Sequence, residues 1–533
     1  MTVDQSRKKD ERAHITRAAG LMSVATLISR VLGYMKDMVL AGFFGATVMA
    51  DTFFVAFRIP NLLRELFAEG SMSSAFIPVL TEYQTKQGRD EAKRLVRTTF
   101  AFLLICVGSI CLLSIFFSPA IVKLIAPGFV DMPEKFSLTV LLTRVMLPFL
   151  FFISLAALAM GALNTRRVFF TPSLAPAMLN ITIILMVVLF ASHIQPPILA
   201  VAIGVSLGGL VQFAFQLPTF FRNGFSLKPK FDFRHPGLKK MSILLLPATM
   251  GMAVVQINIF VSTILASFLP EGSITYLYYS MRLIQFPIGI FGVTMGMAVL
   301  PALSEQAVHG KYDQLSKDFS FALRLLFFIT VPAMAGLIAL REPIVNILFQ
   351  RGKFDYIATA GTAQALFFYS LGIWSIVGVR VVTACFYSMQ DTKTPVKIAV
   401  VALVTNVILS LLLMQPLKHS GLALANTLAS IVNFILLFTF LKKKLISMDA
   451  QRIVSSFLKT LIASIIMGAL AMLLLHGDWW THHADTLRKV GALAGTISAC
   501  IIVYIVLSFL MRNEECYYVL RTIKEKISRG VKQ

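Results

Sequence analysis

Long apolar runs separated by short polar segments repeat along the whole chain. A membrane-crossing helix needs about 20 mostly apolar residues. Runs of that kind fall at roughly 19–45, 50–82, 98–125, 137–163, 169–193, 197–221, 241–269, 274–304, 319–341, 361–388, 395–415, 420–441, 455–476 and 487–511. They predict an all-α polytopic membrane protein with about fourteen transmembrane helices. Glycine and proline break the first, second and eighth runs, at Gly33, Gly45, Pro60, Gly70, Pro78, Pro287, Gly289, Gly292, Gly296 and Pro301. Such breaks are tolerated in a membrane where the backbone lines a cavity or packs closely against another helix.

The pattern also repeats on a larger scale. AFIPVLTE at 75–82 returns as AVLPALSE at 298–305, and GVSLGGLVQF at 204–213 returns as ANTLASIVNF at 425–434. PAIVKLIAPGF from Pro119 has a partner in PIVNILFQRGKF from Pro343, and Thr171-Pro172 matches Thr394-Pro395. Two homologous six-helix halves follow. The first lobe occupies 1–222, a cytoplasmic linker 223–240, the second lobe 241–443, and two additional helices with a cytoplasmic tail 444–533. An even number of spans gives both halves the same orientation. The repeats are therefore parallel, as in transporters whose lobes rock about a central cavity.

Composition agrees. Of 533 residues, 57% are hydrophobic and 14% charged, against about 45–50% and 25% in soluble domains. The net charge of +23 could suggest nucleic acid, but the cations sit in alternate short loops, as the positive-inside rule requires. With the N-terminus in the cytoplasm, the basic loops are 83–97, 164–168, 222–240, 305–318, 389–394 and 442–454, with a basic tail. The outer loops hold few Lys and Arg, among them Arg351, Lys353, Lys418, Arg488 and Lys489. Both termini are thus expected in the cytoplasm, the basic loops touching anionic lipid. The basic N-terminus leads into an uncleaved first span, because Arg30 interrupts the apolar run and no small-residue cleavage site follows. The five cysteines lie apart without a CxxC pair and read as ordinary membrane-helix residues, neither disulfides nor metal ligands. Walker A and HExxH motifs are absent, so no catalytic residue, metal or cofactor is expected. His482 and His483 beside Trp479-Trp480 read as an interfacial anchor.

Charge at membrane depth changes the picture most. Each buried charge costs about 2.5–3.5 kcal/mol on insertion scales, so it normally faces protein or a wet cavity. Arg30, Lys36 and Asp37 interrupt the first run; Asp51, Arg58, Arg64, Glu65 and Glu69 the second; Arg282 the eighth. Gln256 and Asn258 lie in the seventh. Internal salt bridges would account for some of these residues. The surplus of cations points to an anionic ligand, and arginine matches phosphate through two parallel hydrogen bonds. The last two spans carry no charge at depth. They fit either helix packing and oligomer contact or a groove for a lipid tail.

SRVLGYMKD (29–37), ADTFFVAFRIPNLLRELFAEGSMSSAFIPVL (50–80), YYSMRL (278–283) and QDTKTPVKIA (390–399) resemble the MurJ (MviN) lipid II flippases of the MOP transporter superfamily. The resemblance extends over nearly the whole chain. It implies carriage of lipid II, the undecaprenyl-pyrophosphate-linked disaccharide pentapeptide, across the bacterial inner membrane by alternating access. It implies substrate-binding roles for Arg30, Lys36, Arg64 and Arg282, and structural or coupling roles in the cavity for Asp37, Asp51, Asn61 and Glu69. Lys36 stands where familiar members carry arginine, so charge is kept but the bidentate geometry is not. The resemblance also implies a tail groove at the last two spans. Cell-wall synthesis proteins are expected as partners, and the membrane potential acting on the pyrophosphate charge, or a coupling ion, as the energy source. A flippase for another polyprenyl-linked glycan and a multidrug exporter of the same superfamily are the alternatives. The excess of arginine disfavours a cation exporter. A membrane enzyme acting on polyprenyl phosphates would need larger outer loops than these.

Overall fold

The computed structural model describes residues 3–65, 71–445, 448–477, 480 and 486–530. Every regular element among them is helical. The helices group into two compact units, Met1–Phe268 and Leu269–Gln533.

The first unit begins with α1 (Val3–Phe44), α2 (Val48–Arg64), α3 (Ser71–Lys86) and α4 (Arg89–Phe116). Proline then sets the breaks, because it removes a donor and clashes with the preceding turn. Pro119 sits in the first turn of α5 (Ser118–Ile125), Pro127 opens a single 3-10 turn to Phe129, and Pro133 and Pro148 open α6 (Pro133–Met146) and α7 (Pro148–Thr165). α8 (Phe170–Phe190), α9 (Leu199–Arg222) and α10 (Pro236–Ser267) complete the unit. α1 packs along α8, α9 lies against α7 and α8, and α2 against α6 and α7. The GVSLGGL stretch explains the closeness of α9. A Cβ on Gly208 would meet the Leu179 side chain at 2.6 Å, and one on Gly209 would meet Phe149 at 2.8 Å. Small residues let membrane helices approach in this way.

The 223–240 segment is folded onto α4. Arg97 Nε donates to the Lys228 carbonyl at 2.8 Å, Arg94 pairs with Asp232 at 2.8 Å, and His235 Nε2 lies 3.2 Å from Glu91. The compact unit ends one helix later than the repeat boundary at 241, because α10 packs on α3, α4 and α5. It is held at both ends. Lys240 bonds Glu82 on α3, and the Gly128 N–H donates to Ser267 Oγ at 3.1 Å. A Cβ on Gly128 would stand 2.4 Å from the Ser267 carbonyl oxygen, so only glycine allows that junction.

The second unit runs α11 (Ser273–Pro287), a π-helical turn Ile288–Val293, α12 (Thr294–Val308), α13 (Tyr312–Ala339), α14 (Arg341–Phe349), α15 (Tyr356–Ser370) and α16 (Ile373–Ser388). It continues with α17 (Lys393–Lys444), α18 (Ala450–Leu474), α19 (Thr486–Leu510) and α20 (Glu514–Gly530). α17 folds back at Lys418, whose φ of 51° and ψ of −131° leave the helical region two residues after Pro416. It therefore supplies two of the expected spans. Phe327, Trp374, Phe434 and Phe457 form one aromatic cluster, with centroids 5.1–6.1 Å apart. α18 packs on α13 and α19 on α18. The start of α18 and the segment after α19 are pinned to α13 by ions: Arg324 lies 2.6 Å from Glu515 and 2.9 Å from Glu514, which also takes Arg452 at 2.6 Å.

Among the described residues, nine helical stretches are long and apolar enough to cross a membrane, α17 counted once. The remaining expected spans fall on α1, α2–α3, α10 and α11–α12, where the charges and helix breaks concentrate.

Candidate functional site

α1 brings three of the expected residues. Arg30 is exposed and makes no ion pair or hydrogen bond with any described residue. The chain beside it is anchored, since Asn180 on α8 donates to the Ser29 carbonyl at 3.3 Å. Lys36 Nζ lies 3.0 Å from Asp37 Oδ1, with Asp37 fully buried and the Lys36 side chain 12% exposed. Asp37 thus offsets part of the Lys36 charge, and Arg30 presents the freer cation on α1.

The end of α2 holds the most ordered part of the site. Pro60 lies inside the helix, and after Arg64 the backbone widens into a π-type turn at Glu65. Arg64 donates to Asn61 Oδ1 through both Nε at 3.2 Å and Nη2 at 2.9 Å. Asn61 Nδ2 donates to Glu65 Oε1 at 3.0 Å, and Glu65 Oε2 accepts from Gln256 on α10. The Arg64–Glu65 distance is 4.0 Å, longer than either bond to the Asn61 amide. The Arg64 side chain remains 23% exposed. Arg58 joins Asn61, Glu65 and Gln256 around a void of about 20 Å³, enough for roughly one water.

Asp51 is placed elsewhere. It lies in the first turn of α2, thirteen residues before Arg64, which is about 20 Å along a helix at 1.5 Å per residue. Its carboxylate is 1% exposed and stands 3.8 Å from Lys135 Nζ, which lies 4.1 Å above the Phe129 ring. Glu69 lies outside the described residues.

Arg282 belongs to the second unit, half-buried on α11, five residues before Pro287 and the π-turn that follows. Arg380 on α16 is an exposed cation in a span that the charge survey passed over; its Cδ is 3.5 Å from where a Cβ on Gly292 would stand. The isolated charge in VGVRVV was the signal for it. Glu65 was also missed as a site member, because its tie to Gln256 spans 191 residues. All five cysteines are free, and no group of three metal-ligating side chains occurs among the described residues.

The second unit also contains an apolar cavity of about 510 Å³ between α13, α18, α19 and α20. Phe328, Pro332, Gly336, Met467, Ile501 and Tyr504 line it. Its one strong polar group is satisfied, as the Tyr504 hydroxyl donates to the Phe328 carbonyl at 2.6 Å.

At several helix ends, carboxylates are tied to lysines. Hydrogen bonds from Lys240 and Lys86 hold the Glu82 carboxyl below its ordinary range. At Asp391, desolvation opposes ionisation, but bonds from Lys444 and Thr394 outweigh it and lower the pKa well below the usual range.

A protein-family model described as "Lipid II flippase MurJ" matches residues 40–486. A "Probable lipid II flippase MurJ" of Vibrio cholerae is 39% identical over 425 residues, 78% of this chain and 81% of the relative. A solved structure, "Lipid II flippase MurJ, inward closed conformation", superposes with a TM-score of 0.76 at 29% identity, covering 92% of this chain and 99% of that one. A multidrug resistance MATE family transporter of the MOP superfamily superposes at 0.65 with 16% identity, over 81% of this chain and 98% of its own, which is a likeness of fold alone. The chain belongs to the lipid II flippase MurJ family.

Proposed function

We propose that the chain is a transporter that carries lipid II from the cytoplasmic to the outer leaflet of the bacterial inner membrane, with both termini in the cytoplasm. The observation that carries the headgroup assignment is Arg64. Two of its donors are fixed on Asn61, and the side chain remains 23% exposed. A guanidinium oriented before the ligand arrives loses little further entropy on binding, and it suits an oxyanion better than a mobile lysine. In this reading Arg30 and Arg282 join Arg64 on the pyrophosphate, and Lys36 assists with a charge that Asp37 partly offsets. Asp37, Asn61 and Glu69 shape or couple the cavity. The apolar cavity beside α18 and α19 takes part of the prenyl tail. Burial of its methylenes contributes about 0.8 kcal/mol each, so the tail anchors the substrate while the headgroup crosses.

Transport follows by alternating access of the two lobes. The membrane potential acts on each translocated charge with about 2.3 kcal/mol per 100 mV. In a cell that is negative inside, it favours the outward movement of an anion and the inward return of an empty cationic site. The deciding experiment reconstitutes the full chain in proteoliposomes with labelled lipid II and follows its appearance in the far leaflet. Wild-type activity lost in Arg64→Ala and partly retained in Arg64→Lys supports the reading. Unchanged flipping in both variants overturns the role of Arg64, and unchanged flipping after collapse of the potential overturns the energetics.

A further inference from the structure

A second cavity, of about 750 Å³, opens in the second unit where α11, α14, α15 and the fold-back of α17 come together. The charge pattern assigns these segments to the outside. Its volume is in the usual range for a small-molecule or peptide site, roughly 300–1,000 Å³. Its wall is built. A Cβ on Gly361 would meet the Tyr276 ring at 2.8 Å, so the missing side chain lets the ring lie against α15. His419 Nε2 bonds the Gly361 carbonyl at 3.0 Å, and its ring stands 5.0 Å from that of Tyr276.

Two cations face this space without an ion-pair partner among the described residues, Arg341 and Lys418. Arg341 is positioned, with Nη1 donating to the Ile338 carbonyl at 2.8 Å and the guanidinium 5.4 Å above the Phe367 ring. Most of its five donors are left over. Lys418 sits at the rim with φ of 51°, a conformation unfavourable for a residue with a side chain and concentrated at functional sites. Cations on the outer side work against the positive-inside pattern, so each asks for a local reason. Lys489 has one, buried at 2% exposure with Nζ 3.3 Å from Asn346 Oδ1. Arg351 donates to the Ile347 carbonyl at 2.8 Å. Lys418 makes no such bond, and it lines the cavity. Glu342, also without an ion pair among the described residues, stands at the same wall.

We infer that this outer cavity binds the peptide of the translocated headgroup, Arg341 and Lys418 taking a carboxylate and Glu342 an amino group. A peptide carries both signs of charge and apolar side chains that the aromatic wall can cover. A bare pyrophosphate has neither. The inference rests on the lipid II reading above and adds a second, outward subsite to it.

The test uses the full chain in lipid nanodiscs and soluble muramoyl-pentapeptide as the probe. Saturable binding is expected, at least tenfold weaker for the peptide with an amidated C-terminus and for Arg341→Gln and Lys418→Gln. Thermal stability, read on the same samples, should be unchanged in both variants. No saturable binding to the wild type overturns the inference, as does binding indifferent to both substitutions. Equal affinity for an acidic peptide of unrelated sequence also overturns it, and would place a protein partner there. Lipid II flipping by the same preparations separates the two levels. Flipping without peptide binding removes the outer subsite alone, whereas no flipping removes the reading on which it rests.

Discussion

The two ends of α2 carry similar residue types and do different things. At the start, Asp51 and Lys135 form a pair in which neither side chain exceeds 6% exposure. At the finish, Arg64 and Glu65 are 23% and 34% exposed and communicate through the amide of Asn61. The first is closed to a ligand. The second keeps a cation oriented and partly exposed. Charge alone does not mark a binding residue; the exposure that its packing leaves it does.

The largest expected effect tests the closed end. Asp51→Asn leaves Lys135 buried without its counter-charge, which costs about 3–5 kcal/mol. A marked fall in thermal stability in detergent is the expected outcome. Flipping per folded molecule should stay near wild type. Adding Lys135→Met should recover most of the lost stability, since an apolar replacement of a buried pair is often neutral. Normal stability in Asp51→Asn would erase the distinction between the two ends.

Arg64→Ala tests the open end, with the opposite split. Loss of a charged contact to the ligand costs about 2–5 kcal/mol, so lipid II binding should weaken by roughly 30-fold or more while stability barely changes. Asn61→Ala should do less. It removes the acceptor that aims Arg64, worth about 1.5–3 kcal/mol for a hydrogen bond to a charged group, and it should weaken pyrophosphate binding more than binding of the prenyl tail. A loss equal for both would mean that Asn61 serves only the fold.

Gly128→Ala should detach the C-terminal end of α10. The new Cβ meets a backbone carbonyl that cannot turn aside, and overpacking of that kind costs about 1–3 kcal/mol. Faster amide exchange near Ser267 is the readout. The smallest effect is pH. Lys240 and Lys86 lower the Glu82 carboxyl below its ordinary 4.5, so its contribution is present above that value and fades as pH falls through the lower folded value. The α3–α10 tie should loosen only in acid, and not at all in Glu82→Gln, where it is already absent.

Much of the fold was legible without coordinates. The spans follow from hydropathy, because a bilayer demands a fixed length of apolar helix with every backbone group bonded internally. The positions of the breaks follow from Pro60, Pro287 and Pro416, all found where helices widen or fold back. The candidate site was legible only as a set of residue types. Arg64 and Asn61 are three apart on one helix, so their contact is local and readable.

Partnership across the sequence was decided by the tertiary structure. Glu65 and Gln256 are 191 residues apart, and Arg341 and Lys418 face one cavity from different helices. Hydropathy is a property of each residue and its near neighbours, so the chain itself determined which segments are helices within a membrane and that cations exceed anions among them. An ion pair depends on a distance of a few ångströms in space, and helix packing alone sets that distance. It buried Asp51 against Lys135 and left Arg64 partly exposed.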